Sequence, residues 1–122
     1  MINVKEVKDA NLIEKITTDT LKCFEWIQPH KISLEACKNK TMPFFAISYD
    51  DIYIGYAILI IHNKYVAELQ INKTFKSFSF ANYNEYRLKN RDVSKAVAKA
   101  CKDYCDLRGM SVLYCPLEEH LM

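Results

Sequence analysis

Five cysteines and three histidines are the side chains of this 122-residue chain best suited to hold a metal or to attack an acyl group. The cysteines, Cys23, Cys37, Cys101, Cys105 and Cys115, are odd in number and contain no Cys-x-x-Cys pair, so neither a disulfide framework nor a zinc ribbon is written into them. Cys101 and Cys105 stand four apart on a helical pattern, which would let two sulfurs share a face. The apolar stripe they belong to points to burial instead. His30, His62 and His120 stand beside turns or near the C-terminus and show no His-x-x-x-His spacing, so no metal site is expected. Cys115 has no evident histidine partner to activate it, and burial is again the reading. Lys76, Arg87, Lys89 and Arg91 with Phe78 are the residues a nucleic-acid surface would use. A net charge of +2 with no block of like charges speaks against that role.

One domain spanning residues 1–122 is expected at this length, and 50% hydrophobic with 26% charged residues excludes a disordered tail. The longest apolar stretch, residues 52–61, is interrupted by Gly55 and Tyr56. It is too short to span a bilayer and rich in β-branched residues, so it reads as a strand and no membrane association is expected. The opening residues have neither the basic start nor the apolar run of a signal peptide, which predicts a cytoplasmic, reducing location.

Ile2, Val4 and Val7 suggest a short first strand, after which Asp9 or Asn11 offers a cap to a helix. Ile13, Ile16, Thr20, Cys23, Phe24 and Ile27 recur at helical steps until Pro29. A shorter helix starts at Ser33 and ends in the polar run before Pro43. The period then changes to two: residues 44–49, 52–61 and 65–75 read as an antiparallel meander with turns at 50–51 and 62–64. Residues 76–90 mix alternating Phe78 and Phe80 with three asparagines and are read as an extended insertion. Asp92 caps the clearest helix, striped by Val93, Val97, Cys101 and Tyr104 and ended by Gly109. Residues 110–115 form the final strand, broken by Pro116.

This order of elements resembles the first two thirds of the GNAT superfamily of acyl-CoA-dependent N-acetyltransferases. Met42-Pro43-Phe44-Phe45-Ala46-Ile47-Ser48-Tyr49-Asp50, then Ile54-Gly55-Tyr56, then Tyr65-Val66-Ala67-Glu68-Leu69 resemble bacterial members that read MPFFxAYD, hGF and YTAEI. Ala100-Cys101-Lys102-Asp103-Tyr104-Cys105 followed by Arg108-Gly109 resembles their long helix. The resemblance implies an α/β fold with a GNAT-like mixed sheet, a central antiparallel meander, helices on both faces and the family's last strands missing.

It also implies a chemistry. Acetyl-CoA would be the donor and a primary amine, on a small molecule or a protein, the acceptor. The pantetheine arm would add to the fourth strand as an extra strand does, on the backbone of Ile71, Asn72 and Lys73. The pyrophosphate would sit on the start of the long helix, at Arg91, Val93, Ser94 and Lys95. The family's glycines are absent there, and Asp92 stands where one belongs, facing the phosphates with a like charge that Lys89, Arg91 and Lys95 offset in part. Glu68 is the expected base and Tyr114 the substitute for the family's acid. The alternative is a degenerate, non-catalytic GNAT-like module that binds or regulates a protein partner. Either way the apolar edge of the fifth strand predicts a homodimer or a partner covering it.

Overall fold

The computed structural model describes residues 1–21, 31–75 and 78–114. Its elements run β1 (Ile2–Val7), α1 (Ala10–Leu21), α2 (Lys31–Lys38), β2 (Phe44–Tyr49), β3 (Ile52–Asn63), β4 (Val66–Lys73), α3 (Tyr83–Asp106) and β5 (Ser111–Tyr114). The strands form one sheet in chain order. Its first three pairings are antiparallel and β4–β5 is parallel. The protein is therefore α/β, with the expected central meander and a mixed sheet. Asp50 and Asp51 both take positive φ, 49° and 67°, the geometry that joins two twisted strands by a two-residue turn.

Period-two alternation sorts the side chains onto two faces. Phe45, Ile47, Leu59, Leu69 and Ile71 meet Val93, Val97, Cys101 and Cys105 of α3 on one face. Phe44, Ala46, Tyr56 and Ile58 meet Ile13 and Ile16 of α1 and Cys37 of α2 on the other. Asp9 caps α1, its Oδ1 accepting from the amides of Asn11 at 2.8 Å and Leu12 at 3.3 Å. The first helix as read extends beyond this, and its residues 22–27, with Pro29, lie outside the described residues. No helix among the described residues is long and apolar enough to cross a membrane.

Two expectations are corrected. The long helix starts at Tyr83, not at Asp92, and the supposed extended insertion supplies its first turns. Asn82, in extended conformation, is the true cap: its Oδ1 accepts from the Glu85 amide at 2.9 Å, and Glu85 Oε2 accepts from the Ala81 amide at 2.9 Å. Such a reciprocal cap closes off orphan donors at a helix start. The asparagines that suggested a loop are one cap, one exposed partner of Arg87 and one buried helical residue, Asn90. At 24 residues, α3 is about 36 Å long. β4, with 8 residues, is roughly 26 Å. Its buried residues begin at Asn90, and Tyr86, one turn earlier, packs in part against the same core. Lys76 and Ser77 lie outside the described residues. At the far end α3 closes in a Schellman motif: the Met110 amide donates to Cys105 O at 2.9 Å, the Gly109 amide to Asp106 O at 3.3 Å, and Gly109 has φ 67°.

Candidate functional site

Glu68 lies in the middle of β4, between Ile60 of β3 and Leu113 of β5. Alternation turns Ala67 and Leu69 into the α3 core and leaves Glu68 half-buried on the other face. There His62 Nε2 lies 3.3 Å from Glu68 Oε1, and Gln70 Nε2 donates to Glu68 Oε2 at 3.5 Å. The histidine was read only as a turn neighbour. Its sequence signal was the hairpin itself, because register pairs Ile60 with Glu68 and makes His62 a diagonal neighbour on the adjoining strand. The carboxylate side chain is 41% exposed, so it can reach a solvent-borne substrate while its orientation is held from two sides.

Among the described residues, the parallel pairing with β5 runs from Val66 and Ser111 to Leu69 and Tyr114. Beyond it β4 runs on: Ile71, Asn72 and Lys73 pair with Ala57, Tyr56 and Gly55 of β3 on one side, and no described strand flanks them on the other. Gly55 is needed for this approach. A Cβ there would run into the Asn72 carbonyl oxygen and stand 2.7 Å from the Lys73 Cα. The Ile71 side chain is buried in the core, so only its backbone is offered to a ligand. Lys73 Nζ donates to Ser94 Oγ at 3.0 Å and ties the strand end to α3. Tyr114 is placed by register alone, one row beyond Leu113, the residue opposite Glu68.

The residues assigned to a pyrophosphate occupy a different setting from the one expected. Arg91, Val93, Ser94 and Lys95 lie within α3, ten or so residues past its start. Their amides bond to carbonyls of the preceding turn. Val93 and Ser94 face the sheet, buried, while Arg91 and Lys95 are exposed. The premise of a helix start at these positions is thus corrected. The true start carries Glu85 in its first turn, which sets a negative charge at the positive end of the macrodipole.

Between that start and the end of β4 lies a cluster of rings. Phe75 meets Tyr49, Phe78, Phe80 and Tyr86 edge to face, with centroids 5.5 to 6.4 Å apart. Lys89 Nζ lies 5.4 Å from the Tyr49 ring centre, and its hydrogen bond to Tyr49 pushes its pKa up. Burial raises the Tyr86 hydroxyl. The alternating Phe78 and Phe80 that suggested a strand are part of this cluster.

Cys101 and Cys105 are core residues of α3, and Cys37 is a buried residue of α2. Burial pushes the Cys101 thiol up to about 12 and the Cys37 thiol up to about 11, so both stay protonated and poorly nucleophilic at neutral pH. Cys23, Cys115, His30 and His120 lie outside the described residues. No protein-family model matches the chain, and no relative is found among the curated proteins.

Proposed function

We propose that this chain is a GNAT-type N-acetyltransferase that moves an acetyl group from acetyl-CoA to a primary amine. The observation that supports it is Glu68, half-buried on β4 and held between His62 and Gln70, on the same strand as Ile71, Asn72 and Lys73. The pantetheine arm would lie along the backbone of Ile71, Asn72 and Lys73, which can bind an extended amide chain as a strand binds another strand. Acetyl-CoA supplies the activated acyl group. Glu68, held by His62 and Gln70, accepts the proton of the acceptor ammonium, directly or through a water, and so frees the amine to attack. Tyr114 returns a proton to the departing thiolate. In this reading the protein works in the cytoplasm, and a second copy or another chain covers the outer side of β5, where Leu113 is exposed.

The start of α3 favours a second reading. With Glu85 in its first turn and rings packed beside it, it is a poor seat for a pyrophosphate, as expected of a non-catalytic GNAT-like module that binds a protein partner. Calorimetry with acetyl-CoA, paired with an assay of thiol release in the presence of a panel of amines, separates the two. Binding with turnover, and turnover reduced about 10²-fold or more in Glu68→Gln at unchanged affinity, supports the enzyme. Binding without turnover, or no binding, transfers the lead to the module.

A further inference from the structure

At the opposite end of the sheet, where β1 ends and α3 stops, a cavity of about 160 Å³ opens between the α2–β2 connection and the last turn of α3. It is smaller than the few hundred Å³ of a drug-sized pocket and holds on the order of five waters. Its charged lining is Lys8, Lys40 and Arg108 against the single carboxylate of Glu6, with Thr41 and Tyr104 beside them. Lys38, Lys99 and Lys102 each lie within 4 Å of a carboxylate. Lys8 and Lys40 have no ion-pair partner among the described residues.

Two of the three cations are fixed by the backbone or by a ring. The Arg108 guanidinium stacks on Tyr104 at 3.4 Å and donates through Nη1 to Tyr104 O at 2.9 Å. Its remaining N–H groups make no bond to the described residues. Tyr104 is held edge-on by Phe45 at 5.8 Å. Lys40 ends α2 with φ 64°. The Thr41 amide donates to Ala36 O at 2.8 Å and the Lys40 amide to Cys37 O at 3.0 Å. This is the motif that ends α3, with lysine in the left-handed place that glycine ordinarily fills.

We propose that this cavity binds a small oxyanion, taken between Lys8, Lys40 and the outer edge of Arg108. Three spacings separate β1 from β4 in the sheet, roughly 14 Å, so the site is distinct from Glu68. Inorganic phosphate and acetate, titrated separately into the full ¹⁵N-labelled chain, are the probes. The expected result is saturable amide shifts at Lys8, Lys40, Thr41 and Arg108. The double variant Lys40→Gln with Arg108→Gln weakens them at least tenfold, and Glu6→Gln strengthens binding severalfold by removing the one repulsive charge. Tighter binding of phosphate assigns a phosphate-bearing ligand, and tighter binding of acetate a carboxylate. Shifts that survive the double variant unchanged, or no shift with either anion in a chain whose spectrum stays folded, overturn the proposal and leave the cations serving only the carbonyl ends of α2 and α3.

Discussion

The two ends of the sheet are finished by opposite chemistry. Where α3 begins, the gap beyond β4 is filled by rings, with Phe75 at their centre and Lys89 laid against Tyr49. Where α3 stops, the gap beyond β1 is left open and lined with charge. The first end gains apolar burial and edge-to-face ring contacts. The second keeps solvent-exposed cations and a lysine in the left-handed backbone region, which costs stability. A residue held in a costly backbone conformation is a mark of ligand sites, which agrees with the oxyanion site proposed at that end.

Removing the hub of the aromatic end should have the largest effect. Phe75→Ala is expected to lower stability by about 3 to 5 kcal/mol in urea unfolding, and Tyr104→Ala, a half-buried ring at the charged end, by clearly less. Equal losses would break the contrast. Next comes Asp92→Gly with Ser94→Gly. At a helix start, two glycines would open a phosphate cradle. Inside α3 they should cost about 2 kcal/mol in all and leave acetyl-CoA affinity in calorimetry no better. A gain in affinity would return the anion site to residues 91–95.

The thiols give a pH test. Cys101 and Cys37 keep their protons in the folded state to about 12 and about 11, against 9.0 for the free thiol. Above pH 9 the unfolded chain therefore binds fewer protons than the folded one, and stability falls as pH rises. By pH 10 the loss should be about 1 kcal/mol for each thiol, read from urea midpoints at stepped pH. Cys101→Ala should flatten the fall, and an unchanged slope would sink the assignment. The smallest effect sharpens the comparison most. Lys40→Gly should raise stability by about 1 kcal/mol and at the same time weaken phosphate or acetate binding, a trade that a purely structural lysine would not make.

The meander was legible because residues 44–49 and 52–61 are short apolar runs rich in aromatic and β-branched residues with paired aspartates between them, the pattern of two buried strands joined by a turn. The start of α3 was not legible. Asn82, Asn84 and Asn90 have the same side chain and three different roles, decided by a reciprocal cap, an exposed face and a buried interface. Glu68 could be found on its strand, whereas His62 joined it only through the hairpin register. Ile71, Asn72 and Lys73 could be named as a strand, but their pairing with Ala57, Tyr56 and Gly55 is set by the hairpin register.

The order of strands and helices and the burial of Cys101 and Cys105 could be read from the chain alone, because these follow from local patterning and from the cost of exposing apolar surface. It took the folded chain to show that rings close one end of the sheet and that Lys8, Lys40 and Arg108 line one cavity. Those depend on contacts between residues far apart in the chain, which no local pattern carries, since they are set by how the helices lie across a twisted sheet.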